Sequence, residues 1–229
     1  CYNTSFRVLG QTIMKIKLAE LFPSCAIVVT ADQAMWTTPL CDEEEKLIET
    51  AVQKRQQEFR AGRHAAHQAL HQLSAPWQPL LRDEKRQPLW PTGFVGSISH
   101  CRGECVAVCA KAAELASLGI DVEPLEPLPK GVDQYIHTAD DHATMQADNT
   151  LPERLIFSAK ESLYKCFYPL IGEHMGFQSV SLNIDAENMS FDFIPSATST
   201  IPFPAELKFH GRFMTSESHL YTGCYLTGN

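Results

Sequence analysis

The chain has no long hydrophobic run, no excess of positive charge and no low-complexity segment. No apolar stretch approaches the roughly 18 residues of a membrane-spanning helix, so we expect no membrane span. Its 229 residues include 27 acidic and 19 basic side chains, which gives a formal net charge of −8. A surface of that charge repels nucleic acid and anionic membranes. An anionic ligand would therefore need a local basic cluster.

The start of the chain also lacks the basic and apolar regions of a secretory signal. Eight cysteines are present, but an even count favours a disulfide framework only in short secreted chains. They lack the close C-x2-C spacing that is typical of zinc sites. We therefore expect reduced thiols in a cytoplasmic protein.

Helical and strand-like segments occur in both halves of the chain, of which 44% is hydrophobic. Two long helices are predicted, at Pro39–Leu73, where Asp42 is the candidate N-cap, and at Leu151–Tyr168. Strands are predicted by short apolar or alternating runs: Ala26–Thr30, the region around Val95, Val106–Ala110, Leu118–Val122, Ser179–Ile184, Ser190–Ile194, Leu207–Met214 and His219–Leu226. We expect Val106–Ala110 and Leu118–Val122 to be neighbouring strands joined by a turn.

This order of elements predicts an α+β fold. Each half has one long helix and a group of strands, which suggests two similar subdomains, residues 1–110 and 111–229. A cleft between two such halves is a natural place for a ligand.

The first motif that carries chemistry is the acidic strand Gly119-Ile120-Asp121-Val122-Glu123. Alternate side chains of a strand share a face, so Asp121 and Glu123 are expected on one side, about 7 Å apart. Two such carboxylates repel each other unless a cation lies between them, and Mg²⁺ prefers oxygen ligands. The alternative is an exposed strand edge with solvated acids.

The second motif is the helical segment Phe157-Ser158-Ala159-Lys160-Glu161-Ser162-Leu163-Tyr164-Lys165. Glu161 and Lys165 are four residues apart and share one side of the helix. An ordinary surface ion pair would explain them. Alternatively, Glu161 adds a third carboxylate to a metal site at Asp121 and Glu123, and Lys165 neutralises a phosphate oxygen.

Two further clusters suit phosphate groups. Gly96-Ser97-Ile98-Ser99-His100 follows a predicted strand, and small hydroxyls with an imidazole in a turn can cradle phosphate; a plain polar turn is the alternative. Basic side chains suited to phosphate contacts occur on the first long helix and in the following loop: Arg60, Arg63, Lys85 and Arg86. A solvated helix face would explain the two arginines equally well.

Taken in order, these motifs resemble the signature of the Sfp-type 4′-phosphopantetheinyl transferases. G-I-D-V-E is followed about forty residues later by F-S-A-K-E-S-L-Y-K, and G-S-I-S-H precedes both. The segments F-R-A-G-R-H-A-A-H-Q-A-L and P-L-W-P-T-G-F-V-G-S are similar to the enterobactin synthase component D branch. The resemblance covers roughly Phe59 to Pro169.

The resemblance implies a role for each candidate residue. It implies a pseudo-twofold pair of α/β subdomains with coenzyme A between them, the first subdomain on the 3′-phosphate and adenine side, the second with the metal and the catalytic helix. The implied Mg²⁺ ligands are Asp121, Glu123 and Glu161. The implied coenzyme A contacts are Lys165 at the pyrophosphate, Ser99 and His100 at the phosphates, Arg60 and Arg63 at the 3′-phosphate and adenine, and Lys85 and Arg86 in a basic loop.

The implied reaction moves the phosphopantetheine arm of coenzyme A to a serine of an apo carrier protein, with release of 3′,5′-ADP. Positioning and charge neutralisation carry such a phosphoryl transfer. Glu161 or a water on the metal would take the serine proton. The branch suggests aryl or peptidyl carrier domains of a siderophore-producing nonribosomal peptide synthase, docked at Leu125–Leu155 with Lys130 and Arg154. Two rival functions are a non-catalytic coenzyme A or nucleotide-binding module and a Mg²⁺-dependent phosphohydrolase.

Overall fold

Two antiparallel sheets, each covered by one long helix, make up most of the protein that the structure describes. The computed structural model describes residues 18–196, 199, 203 and 207–227. The first sheet has the order β1-β3-β2, with strands β1 (Ile27–Thr30), β2 (Phe94–Cys101) and β3 (Glu104–Lys111). Helix α1 (Asp42–Glu45) precedes the 20-residue helix α2 (Gln53–Gln72). Alanines of α2 pack against β3, which gives this sheet its core.

The second sheet has five antiparallel strands in the order β4-β8-β7-β6-β5. Its strands are β4 (Leu115–Pro124), β5 (Val180–Asp185), β6 (Ser190–Pro195), β7 (Phe209–Thr215) and β8 (His219–Thr227). Helix α5 (Leu155–Ile171) packs on this sheet, and the short helices α3 (Asp133–Ile136) and α4 (Ala139–Ala147) lie between β4 and α5 in the chain. Helix α5 ends at Gly172, whose φ of 74° is the left-handed conformation that glycine readily adopts.

Helix α5 lies directly against β4 because Gly119 has no side chain. A Cβ at Gly119 would come within 2.0 Å of the backbone carbonyl oxygen of Ser162 and 2.8 Å of the backbone nitrogen of Cys166. The two elements that carry the acidic motif and the Glu161–Lys165 motif are therefore in backbone contact.

The two sheets meet where β2 runs beside β4. The backbone N–H groups of Ile120 and Val122 on β4 donate to Ser97 Oγ (3.1 Å) and Ser99 Oγ (3.2 Å) on β2. Side-chain hydroxyls thus replace the backbone carbonyls of an ordinary ladder. We call this line of contact the seam, and it brings the Ser99 motif to the acidic motif.

The predicted α+β class is confirmed, and so are the two long helices, but the first helix is interrupted. The segment predicted as one helix from Pro39 to Leu73 contains α1, a run of turns and then α2. Asp42 is the first residue of α1 rather than its N-cap, which is Cys41. Acidic side chains in this first turn still suit the positive end of the helix dipole.

Val106–Ala110 and Leu118–Val122 are strands joined by a turn, as predicted, but they are not neighbours in one sheet. Strand β3 pairs with β1 and β2, whereas β4 pairs with β8. Buried apolar runs show that a segment is a strand but do not select its partner. The division of the chain at residue 110 remains a prediction. In the part of the chain that the structure describes, no helix is long and apolar enough to cross a bilayer.

Candidate active site

Asp121 lies at the centre of the seam and is only 4% exposed. Its Oδ1 accepts hydrogen bonds from Ser99 Oγ (3.0 Å) and Lys165 Nζ (2.7 Å), and its Oδ2 accepts one from Ser158 Oγ (2.9 Å). Asp121 is therefore part of the packed contact between the sheets rather than of an open cleft. Its carboxylate joins β4 to β2 and α5, because these two elements supply the groups that donate to it.

Lys165 extends from α5 to the same point. Its ammonium donates to Asp121, to Ser99 Oγ (3.1 Å) and to the backbone carbonyl oxygen of Ile120 (3.1 Å). The side chain keeps 27% of its surface exposed, so the ammonium is at the edge of the buried seam. A positive group therefore already balances the most buried acid of the site.

Glu123 and Glu161 are half-buried, and the negative charge of Asp121 acts on both of them. Burial, followed by the charge of Asp121, raises the pKa of Glu123, which Arg154 opposes. Burial also raises the pKa of Glu161, with Lys165 opposing and Asp121 adding to the rise. The three predicted carboxylates thus interact electrostatically across β4 and α5. The described residues contain no group of three or more His, Cys, Asp or Glu side chains gathered closely enough to hold a metal ion.

The motif that contains Ser99 and His100 is part of strand β2, not a turn after a strand. The hydroxyl of Ser99 is engaged by Val122, Asp121 and Lys165. The predicted phosphate cradle is therefore not a free turn, because Ser99 joins the two sheets.

His100 faces α2, where its Nε2 lies 2.8 Å from Arg55 Nη1. A guanidinium can only donate, so Nε2 accepts and Nδ1 carries the proton, 3.8 Å from Glu58 Oε2. Burial lowers the pKa of His100, with Glu58 opposing and the positive charges of Arg55 and Lys165 adding to the fall. The ring is therefore a neutral group on the α2 side of the seam.

The structure separates the two candidate arginines of α2. Arg60 forms a bidentate pair with Glu45, since its Nε and Nη2 donate to the two carboxylate oxygens at 2.8 and 2.7 Å. Arg63 is only 5% exposed, lies over the ring of Phe59 and has an Nε atom without a hydrogen-bond partner. Burial lowers the pKa of Arg63 to about 10. Because its guanidinium is buried and incompletely paired, Arg63 is a better candidate than Arg60 for binding an anion.

Lys85 and Arg86 lie in the exposed loop between α2 and β2. The ammonium of Lys85 is 5.3 Å from the ring centroid of Tyr168, so this loop reaches α5. Arg86 has a φ of 68°, the left-handed conformation of a tight turn. A cavity of about 320 Å³ opens beside the loop and is lined by Lys85, Gln87, Tyr164, Tyr168, Gly172 and His174.

Two residues of this site, Ser158 and Arg154, were not predicted to belong to it. Ser158 binds Asp121 from one turn ahead of Glu161, and its place in the F-S-A-K-E segment was the available signal. Arg154 donates to Glu123 Oε2 at 2.8 Å, and it was assigned instead to the docking of a carrier. Lys160 belongs to the motif but lies outside the site, since its ammonium is buried against Asp141.

A second cavity, of about 470 Å³, is formed by the segment that connects β4 to α5. Its walls are mixed apolar and polar: Leu128, Pro129, Lys130, Gly131, Asp133, His137, His142, Met145, Gln146, Asn149, Leu151 and Glu153. His137 is 7% exposed and neither of its ring nitrogens has a hydrogen-bond partner. The cavity belongs to the predicted docking segment rather than to the seam.

Comparison with known proteins agrees with the motif order. The 4′-phosphopantetheinyl transferase N-terminal domain matches residues 43–110, and the 4′-phosphopantetheinyl transferase superfamily matches residues 117–203. A solved holo-ACP-synthase from Plasmodium yoelii covers 50% of this chain and 96% of its own, with a TM-score of 0.38 and 12% identity. That structure is too distant to bear on the assignment.

The curated relatives are closer. The 4′-phosphopantetheinyl transferase PptT of Mycobacterium tuberculosis is 35% identical over 185 residues, 79% of this chain and 80% of the relative. Svp of Streptomyces mobaraensis is 38% identical over 182 residues, 76% and 74% of the two chains. Enterobactin synthase component D of Salmonella typhi is 34% identical over 160 residues, 65% and 64%. The chain therefore belongs to the 4′-phosphopantetheinyl transferases, enzymes that use coenzyme A to modify carrier proteins.

Proposed function

We propose that this transferase modifies a serine of aryl or peptidyl carrier domains in a siderophore-producing nonribosomal peptide synthase, within the cytoplasm. The observation that carries the assignment of the site is the buried Asp121–Lys165 pair at the seam. Both charges of this pair act on the pKa of Glu123 and of Glu161. The similarity to enterobactin synthase component D supports the class of carrier. The free thiols of the seven described cysteines agree with a reducing compartment.

Coenzyme A would lie across the loop and α5. Arg63 is proposed to bind its 3′-phosphate, because a nearly buried guanidinium with an unpartnered Nε gains a charge-assisted hydrogen bond there. Lys85 and Arg86 would add positive charge at the rim. The cavity beside Lys85 has aromatic walls at Tyr164 and Tyr168 and suits the pantetheine arm. Arg60 is left out, because Glu45 already neutralises it.

Carboxylate oxygens are the donors that a hard divalent cation prefers, but the three predicted side chains must move closer together to hold one. Asp121, Glu123 and Glu161 would hold Mg²⁺ through carboxylate oxygens. Burial is the main cause of the raised pKa of Glu123 and of Glu161, and the negative charge of Asp121 adds to both. When bound, Mg²⁺ would offset the negative charge of the diphosphate. Because Asp121 Oδ1 is already bonded to Lys165 and Ser99, binding of the cation requires rearrangement of these contacts.

The chain's own groups then perform the proton transfer and the positioning. Lys165 neutralises a phosphate oxygen from the edge of the seam. Glu161 accepts the proton of the carrier serine while the serine oxygen bonds to the β-phosphorus and the bond to 3′,5′-ADP breaks. Its raised pKa moves it towards the working pH, which favours a general base.

The carrier is proposed to dock at the 470 Å³ cavity of the segment between β4 and α5. Leu128, Met145 and Leu151 give this cavity apolar walls, and Lys130 lies at its rim, which suits an acidic domain with an apolar helix. Tyr135, which is 72% exposed, adds aromatic surface next to it. Arg154 is not proposed to bind the carrier, because its side chain donates to Glu123, Glu126 and Pro127 of the same chain.

The test is intact-mass analysis of a panel of apo aryl, peptidyl and acyl carrier domains incubated with the protein, coenzyme A and Mg²⁺. A gain of one phosphopantetheine arm on aryl or peptidyl domains, absent when their serine is replaced by alanine, supports the proposal. Modification of acyl carriers alone would reject the siderophore assignment. Binding of coenzyme A without any mass gain would select a binding module, and phosphate release without a carrier would select a hydrolase.

The docking site has its own test. Lys130→Glu is expected to raise the KM for the carrier without changing the KM for coenzyme A. Lys111→Glu, an exposed lysine at the end of β3, is the matched control. Equal effects of the two substitutions would show that net charge acts, not the cavity.

A further inference from the structure

Arg154 connects the acidic strand to the start of the catalytic helix through three separate hydrogen bonds. Its Nη1 donates to Glu123 Oε2 at 2.8 Å, its Nε to the carbonyl oxygen of Glu126 at 2.9 Å and its Nη2 to the carbonyl oxygen of Pro127 at 3.3 Å. The residue itself is the N-cap position of α5. One planar group thus ties the end of β4, the turn beyond it and α5 together.

The chemistry of these contacts requires arginine. The guanidinium presents its N–H donors in a fixed plane, so three acceptors can be bound at once, whereas a lysine ammonium provides a single point of charge on a flexible stem. The Arg154 side chain is only 16% exposed, and that of Glu123 is 18% exposed. With its donors turned into the chain, Arg154 has little to offer a docking partner.

Glu123 needs such a support because it is close to the end of its strand. Pro124 is the last residue of β4, and the chain turns away at Leu125. Asp121 is held by groups from β2 and α5, while Arg154 is the side chain that holds the Glu123 carboxylate in the described structure. Only Oε2 of Glu123 is used by Arg154, which leaves Oε1 for another ligand.

We propose that Arg154 is a positioning residue that fixes the Glu123 carboxylate relative to Asp121 and Glu161, and so sets the geometry of the divalent cation site. This inference rests on the proposed function, since it assigns Glu123 to the cation. Arg154 touches neither substrate nor carrier; it acts through Glu123. The effect is geometric, so a change that keeps the charge but loses the planar fork must reveal it.

The decisive variant is Arg154→Lys, with Arg154→Met beside it. Arg102→Met is the matched control, because Arg102 binds the Glu126 side chain of the same turn but is 58% exposed. Calorimetry measures Mn²⁺ affinity of the full protein with coenzyme A present. Steady-state rates are measured over a series of Mg²⁺ concentrations, and circular dichroism checks the fold.

Arg154→Lys is expected to weaken Mn²⁺ binding at least five-fold and to raise the half-saturating Mg²⁺ concentration by a similar factor. Excess Mg²⁺ should restore much of the rate, with the KM for the carrier unchanged within two-fold. Arg102→Met should match the wild type in all of these. If Arg154→Met fails to fold, Arg154→Lys decides alone.

Two results would overturn the inference. One is wild-type Mn²⁺ affinity in folded Arg154→Lys, and the other is a raised carrier KM as the main effect, which would restore Arg154 to docking. Failure of the proposed cation site looks different: the wild type itself would then bind no Mn²⁺ and show no Mg²⁺ dependence.

Discussion

The buried ion pair between Lys160 and Asp141 allows a test of how helix α5 is held in place. Lys160 directly precedes Glu161, so the motif alone would put it beside the reaction. In the structure both side chains of the pair are completely buried. The ammonium also donates to the carbonyl oxygen of Ile136 at 2.9 Å, and Asp141 accepts the backbone N–H of Leu182 at 2.8 Å. The pair therefore anchors α5 to α3, α4 and β5, outside the seam.

Lys160→Met leaves the Asp141 carboxylate buried without its cation. Breaking a buried pair by removing one partner costs about 3–5 kcal/mol, a large part of the roughly 5–15 kcal/mol that stabilises a domain. At about 2–4 °C per kcal/mol for a chain of this size, the melting temperature should fall by roughly 6–20 °C. Burial lowers the pKa of Lys160 in spite of its partner, so removing both charges should cost less than removing one.

Thermal and urea unfolding of Lys160→Met, Asp141→Asn and the double variant, followed by circular dichroism, measure these costs. The double variant should be less destabilised than the sum of the single variants. Transfer by Lys160→Met, measured at a temperature at which it is folded, should stay within a few-fold of the wild type. A folded Lys160→Met with wild-type stability and no transfer would refute the reasoning, because it would make the lysine part of the chemistry.

Four further substitutions test the seam and the anion pocket. Gly119→Ala puts a methyl group 2.0 Å from the carbonyl oxygen of Ser162, so it should separate β4 from α5, destabilise the protein by more than about 3 kcal/mol and abolish transfer, as unfolding curves and rate assays would show. Glu161→Gln should remove transfer yet raise stability at neutral pH. Because burial raises the pKa of Glu161, the contribution of the protonated side chain to folding stability is intact below its unfolded pKa near 4.5 and is lost as pH rises through the folded pKa. The gain in stability of the variant should therefore vanish near pH 4. Arg63→Met should raise the KM for coenzyme A at least ten-fold and Arg60→Met less than two-fold; equal effects would contradict the separation of the two arginines.

Sequence reasoning found the parts that are encoded locally. Helix α5 was predictable because its apolar residues recur at helical spacing, and the acidic strand because apolar and acidic side chains alternate. The order of the motifs identified the family. These signals span a few residues each, so one sequence is enough to detect them.

The relative positions of these parts were not predictable. Arg60 and Arg63 share a helix face in the sequence, yet only Arg60 is neutralised, because α1 folds back and presents Glu45. The apolar composition of β4 does not predict that this strand pairs with β8. The small polar residues Ser97 and Ser99 are typical of a turn, but in the structure they lie within β2. Their hydroxyls accept backbone N–H groups from β4 of the other sheet.

The seam offers a matched pair of residues on which that last point can be tested. Ser97 and Ser99 lie on the same face of β2, both are 6% exposed, and each accepts a backbone N–H from β4. Only Ser99 also contacts Asp121 and Lys165. Replacing either serine by alanine leaves a buried N–H without its acceptor, which costs about 1–3 kcal/mol.

Ser97→Ala and Ser99→Ala should therefore lose similar stability, measured by urea unfolding, but differ in catalysis. Ser97→Ala is expected to keep its kcat within two-fold. In Ser99→Ala, Asp121 and Lys165 each lose one hydrogen bond, and kcat should fall at least ten-fold. If the two variants lose kcat equally, the seam acts only by holding the sheets together. If Ser99→Ala instead raises the KM for coenzyme A and spares kcat, the hydroxyl serves a phosphate directly, as the family resemblance implied, and its bond to Asp121 is incidental to the reaction.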